Sequence, residues 1–259
     1  MRDEVELERL TWPEVQAALE AGWTTAIVAC GAVEQHGPHL PLCVDAAHGA
    51  ALAERVARGL GHALVAPTIR VGCSEHHLAF PGTISLHPAT FEAVCRDYCT
   101  SLAHHGFRRI CLIPSHGGNF APLAEMEQRL DERVGPDCRV IVFSDLQGLI
   151  EVWRSAVLEA GGDPDDVGGH ADVAESSVYS YLRPGAVRTD QLARGYTGPV
   201  DDAVLQRLFT GGIRALSDTG VMGDPHGLSD AIGELCVQRV ADMIAASFTD
   251  RMQAGARDS

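Results

Sequence analysis

The run TTAIVAC (Thr24–Cys30) passes directly into GAVEQHGPHLPLCVD (Gly31–Asp45), and this junction decides the fold class. TTAIVAC is a short apolar run without polar alternation, which fits a strand buried on both faces of a sheet. The segment after it sets Glu34, His36 and Asp45 among two glycines and two prolines. Glu34 and His36 are two residues apart, so in an extended segment they point the same way. Asp45 follows after prolines that stiffen the connection. Such a group could hold a metal ion, or it could form an ordinary polar loop.

Working outward, the same alternation repeats. Thr11 and Glu14 make a capping-box pattern ahead of the helix candidate WPEVQAALEAG. Helices are expected over AAHGAALAERVARGLG (46–61), HPATFEAVCRDYCTSLAHHGF (87–107) and NFAPLAEMEQRLDERVG (119–135), with a last long helix from Ser229. Between them HALVAP (62–67), RRICLIPS (108–115) and CRVIVFS (138–144) read as strands. Short apolar strands alternating with helices imply an α/β fold, a three-layer α/β/α sandwich on a mostly parallel central sheet. One domain over 1–259 is expected, since α/β folds often reach this size as a single unit.

Bulk properties narrow the function. With 46% hydrophobic residues the chain can bury a large core, and a formal charge of −15 argues against nucleic-acid backbones or anionic membranes as partners. The apolar runs fall short of the roughly 20 residues a membrane helix needs. The start, MRDEVELERL, lacks the basic-then-apolar order of a secretory signal, so a cytoplasmic protein is expected. The eight cysteines contain no CxxC pair and read as reduced, packed thiols.

In open α/β sheets ligands sit at the carboxyl ends of strands. Glu34 and His36 follow the first strand, GCSEHHLAFPGT (72–83) the second and SHGGN (115–119) the third. Glu34, His36, Asp45 and His116 are the nitrogen and oxygen donors that divalent transition metals favour. GGHADVAESS (168–177) adds His170 and Glu175, the carboxylate in the first turns of a helix if Ala171–Leu182 is helical. Five ligands could hold two ions, with Asp45 the natural bridge because a carboxylate has two oxygens to share. Two such ions can generate hydroxide and polarise a carbonyl together, leaving His170 to move a proton to the leaving nitrogen. His77, Gly117, Gly118 and Asn119 are the substrate-binding candidates, the glycines because they admit close backbone approach. A helix start capped by Asn119 is the plainer reading of HGGN. Trp153 could cover a substrate, although packing is the better reading, and Arg188, Arg194 and Tyr196 could reach an anionic one.

Read together, GAVEQHGPHLPLCVD, GCSEHHLAFPGTISL, SHGGN, GGHADVAESS and TGVMGDPHGLSDAIGE resemble the creatininase family over Gly31 to Glu234. The resemblance implies an α/β/α fold, two divalent ions (zinc and/or manganese, with iron as a further option) and a homo-oligomer, commonly a hexamer. It also implies hydrolysis of an amide-type C–N bond in a small-molecule substrate. By the same resemblance, Glu34, Asp45 and His116 would hold one ion. His36, Asp45 and a glutamate would hold the other, with His170 handling the proton. Creatinine-hydrolysing members resemble H-Y-E-N where this chain has His116-Gly117-Gly118-Asn119. Gly118 cannot supply their glutamate, so Glu175 is the expected substitute, counted both as ligand and as catalytic group. Creatinine is therefore an unexpected substrate. The HGGN version is more similar to the branch that includes formamide-cleaving, peptide-trimming and ring-ketone-cleaving enzymes. A metal-stabilised binding protein without turnover is the alternative from another class.

Overall fold

The computed structural model describes residues 4–255; the ends of the expected 1–259 domain, residues 1–3 and 256–259, lie outside it. Strand β1 (Thr25–Cys30) is fully buried and pairs in parallel with β2 (Ala63–Val65) on one side and β3 (Arg109–Pro114) on the other. β4 (Arg139–Val142) pairs in parallel with β3, giving the order β2-β1-β3-β4. All four strands therefore present their carboxyl ends to one edge.

The period of two along β1 sorts its side chains between two cores. Ile27 and Ala29 join one cluster with residues of α2 (Val44–Leu60), α5 (Leu146–Glu159), α6 (Val173–Leu182) and α8 (Asp230–Gly255). Ala26, Val28 and Cys30 join the other, with α1 (Trp12–Glu20), α3 (Pro88–His104) and α4 (Gly117–Val134). Helices thus cover both faces, the three-layer sandwich expected from unbroken apolar strands. The capping box at Thr11 and Glu14 is formed.

A second, two-stranded antiparallel element is added at the carboxyl edge by β5 (Val167–His170) and β6 (Met222–Gly223). The short helix α7 (Asp202–Gly211) lies beside it in the chain. Three helix starts at the site differ from expectation, α6 beginning at Val173 and not at Ala171. α2 begins at Val44, which puts Asp45 in its first turn rather than in the loop. α4 begins at Gly117 with His116 at its N-cap position, so Asn119 lies inside the helix and is not its cap.

Trp153 is core, its ring stacked on buried His48 with centroids 5.8 Å apart, and Trp23 packs at the core margin. All eight cysteines are free, seven of them buried. Asp224 makes a turn, accepting from the N–H of His226. No helix among the described residues is long and apolar enough to cross a membrane.

Candidate metal centre

Six chain segments meet at the carboxyl edge. Glu34 and His36 come from the loop after β1, Asp45 from the first turn of α2, and His77 from the short helical turn Glu75–His77. His116 comes from the end of β3, and His170 from the end of β5. Glu175 sits in the first turn of α6, whose N-cap Asp172 accepts hydrogen bonds from the N–H groups of Ala174 and Glu175. The Asp172 carboxylate also accepts from Gly168 and Gly169, which ties β5 to the helix and fixes His170 relative to Glu175.

The ligand atoms pair in order. Asp45 Oδ1 lies 3.3 Å from His36 Nε2, and Asp45 Oδ2 lies 3.6 Å from His116 Nδ1. Glu34 Oε1 is 3.2 Å from His116 Nδ1, and Glu175 Oε1 is 3.6 Å from His36 Nε2. The aspartate therefore stands between two sets: Glu34 with His116, and Glu175 with His36. Both oxygens of Glu34, Nε2 of His36 and Oδ2 of Asp45 are buried without a hydrogen-bond partner. Uncompensated groups of this kind are costly inside a protein. Three buried carboxylates converging with imidazole nitrogens fit divalent cations, which would remove that cost.

The electrostatics of the chain point the same way. Burial pushes Asp45 up, and the Glu34 charge adds to this against His36, raising it to about 6. Burial opposes charge on His116, yet Glu34 and Asp45 hold it up at about 9, a proton taking the place a cation could fill. His36 is likewise raised, Asp45 and Glu175 outweighing its burial. His170 is lowered to about 4 by burial and by the charge of His36, so it is neutral near pH 7.

The site opens into a cavity of about 630 Å³. His77, His116, Gly117, Gly118 and His170 form its inner wall, and Ile150, Tyr196, Leu208, Phe209 and Met222 contribute to the rest. Three of the substrate-binding candidates, His77, Gly117 and Gly118, thus line it. Asn119 does not. Its amide donates to the carbonyls of Cys30 and Gly31 and accepts from the N–H of Cys73, locking two loops together behind the ligands. Of the residues considered for an anionic substrate, Tyr196 lines the cavity while Arg194 pairs with Asp224. Gly118 shows why no glutamate stands there. A Cβ at this position would lie 2.4 Å from the Cys73 carbonyl oxygen and 2.5 Å from His116 Nε2.

Reading by residue type passed over Gln35 and Phe209. Gln35 carries no charge and sits between two stronger candidates. Phe209 belongs to a helix that sequence alone did not connect with the site.

Comparison with known proteins agrees with this geometry. The Creatininase profile, described as creatinine amidohydrolase, matches residues 8–248. The chain is 33% identical over 216 residues to the mycofactocin precursor peptide peptidase of Mycolicibacterium smegmatis, covering 80% of this chain and 77% of that one. It is 30% identical over 266 residues to the creatinine amidohydrolase of Pseudomonas putida, covering 96% and 99%. Among solved structures, a manganese creatininase superposes with a TM-score of 0.76 at 29% identity, over 95% of this chain and 99% of that one. A zinc–zinc mutant creatininase gives 0.74 at 29%, with the same coverage. With its parallel sheet, its buried histidine–carboxylate cluster and a profile match over most of its length, this chain belongs to the creatininase family of hydrolases.

Proposed function

We propose that the protein hydrolyses an amide C–N bond in a dinuclear metal centre, with Glu34, Asp45 and His116 holding one ion and His36, Asp45 and Glu175 the other. The observation that carries this reading is the Asp45 carboxylate with one oxygen toward each of two histidines. Bound there, divalent ions such as zinc or manganese supply an activated water and a Lewis acid for the carbonyl. The chain's own residues do the rest. Neutral His170 presents Nδ1 3.8 Å from both Glu34 Oε1 and Glu175 Oε2, at the cavity wall. It is placed to take a proton from the attacking water and return it to the leaving nitrogen. Burial of the whole cluster excludes competing water and strengthens each of these interactions.

The substrate reading is a peptide or peptide-sized amide. The cavity falls within the about 300–1,000 Å³ range of pockets that enclose drug-sized ligands, and its wall sets apolar side chains such as Ile150, Leu208 and Phe209 beside the polar Glu151, Arg154 and Asp165. The similarity to mycofactocin precursor peptide peptidases supports the same size class. A small cyclic or open amide is the second reading, favoured by the match over nearly full length to a creatinine amidohydrolase. A cytoplasmic homo-oligomer remains part of the proposal.

The test is hydrolysis in oxygen-18 water by zinc- or manganese-loaded protein. The panel would be short peptides with apolar carboxyl-terminal residues, formamides and creatinine. Label in a new carboxylate with release of an amine is expected, strongest for the peptides. Bound metal without cleavage of any C–N bond would overturn the hydrolase reading of this site in favour of binding alone.

A further inference from the structure

The amide of Gln35 touches both histidines that stand beside the ligand cluster. Its Oε1 accepts from the N–H of Gly37 at 2.9 Å, which fixes which end of the amide is oxygen. Nε2 is then the donor end, 3.1 Å from the carbonyl of Gly220 and 2.8 Å from His77 Nδ1. Its two hydrogens are used by these two acceptors. The third neighbour, His170 Nε2 at 2.9 Å, cannot accept as well. That nitrogen instead lies 2.9 Å from the backbone carbonyl of Gln35, to which only an N–H can donate. Gly220 keeps room for the arrangement, because a Cβ there would lie 2.0 Å from Gln35 Oε1.

We infer that Gln35 is a positioning residue that gives His77 and His170 opposite proton roles toward the same carboxylate. His77 accepts at Nδ1, so its Nε2 carries hydrogen and faces Glu34 Oε1, 3.3 Å away. His170 donates at Nε2, so its Nδ1 keeps a lone pair facing Glu34 and Glu175. The two rings are neighbours, with centroids 4.6 Å apart. One is a fixed donor and the other a fixed acceptor. This has a consequence for metal binding. Glu34, His77 and His170 bring one ligand atom each within 4.8 Å of one another, as a third cation site would require. With Gln35 in place, His77 offers hydrogen there instead of a lone pair, and the trio is not a cation site. The tautomers follow from hydrogen-bond geometry alone; their catalytic consequence rests on the hydrolase reading above.

Nitrogen-15 NMR of the imidazole side chains in zinc-loaded protein tests this, with His77→Gln and His170→Gln used to assign the signals. Both rings are expected with hydrogen on Nε2 and none on Nδ1. In Gln35→Met, His77 loses its donor and should show a mixture of tautomers. In Gln35→Glu, a carboxylate facing Nδ1 should move the hydrogen of His77 to that nitrogen. A kcat lowered about 10- to 100-fold with KM little changed is expected in both variants, as for other groups that orient a metal-site residue. Hydrogen on Nδ1 of His77 in the wild type, or a His77 tautomer unaltered in both variants, would overturn the proposal. The wild-type spectrum needs neither variant to fold. It also reads tautomers without turnover, so inactivity toward every amide would count against the hydrolase reading and leave the tautomer assignment standing.

Discussion

His116 Nδ1 lies 3.6 Å from Asp45 Oδ2, on the carboxylate oxygen that His36 does not approach. The side chain at the first turn of α2 is thereby shared between the end of β3 and the loop after β1. A carboxylate shared in this way makes each half of the site depend on the other.

Metal content should follow that sharing. Wild-type protein is expected to carry about two ions, Asp45→Ala to lose most of both, and Glu175→Ala to lose one. Activity in Asp45→Ala should fall by more than about 100-fold, since loss of a group that merely supports a ligand already costs about 10- to 100-fold. Mass spectrometry of metals with parallel kinetics checks this. Full retention in Glu175→Ala would remove that residue from the ligand set.

Gly118→Ala tests the crowded floor of the cavity. Its Cβ would press on the Cys73 carbonyl and on His116 Nε2. A stability cost of about 1–3 kcal/mol, typical of overpacking, is expected together with weakened metal retention. Denaturant unfolding and a chelator-competition titration measure the two effects.

Asn119→Asp separates a supporting role from a substrate-binding one. The substitution replaces the donor that serves the Cys30 and Gly31 carbonyls with an oxygen. A loss of about 1–3 kcal/mol is expected, because the buried Gly31 carbonyl loses its donor while that of Cys30 keeps the N–H of Ser115. KM in the protein that remains folded should change little. A KM raised tenfold without loss of stability would restore Asn119 to the substrate side.

Phe209 reports on substrate size. It is 63% exposed, lines the cavity, and meets His76 edge-on at 5.5 Å, while His76 stacks over His116. Phe209→Ala should raise KM for apolar peptides several-fold and leave kcat near its wild-type value, as expected when uniform binding is lost. Steady-state kinetics on a peptide and on a formamide would show the difference, the formamide being unaffected.

His48 gives the fold a pH dependence on the acid side. It is buried, neither ring nitrogen has a hydrogen-bond partner, and burial lowers it to about 4. Its ordinary value is near 6.5, so the unfolded chain takes up a proton at a pH where the folded chain does not. Stability is thus lost as pH falls from about 6.5 toward 4. His48→Leu should remove up to about 2 kcal/mol of the loss between pH 7.5 and 5, read from urea midpoints at the two values.

The sequence by itself determined the layering and most of the side chains gathered in the candidate site. Unbroken apolar strands such as Thr25–Cys30 can be buried only with helices on both faces, and glycines and caps mark where those helices stop and start. Glu34, His36, Asp45, His116, His170 and Glu175 were legible because strand ends are where such side chains converge, and because the motif around them resembles a known family. The tertiary structure decided what depends on distance. It put Asp45 between two histidines and drew Asn119 behind the ligands. It also set Gln35 against the imidazoles of His77 and His170, 42 and 135 residues away in the chain. Spacing in a sequence fixes which face a side chain takes within one element. Which atom of Gln35 meets which nitrogen depends on how the segments after β1 and β2 meet the end of β5, and that is set by packing across the whole fold.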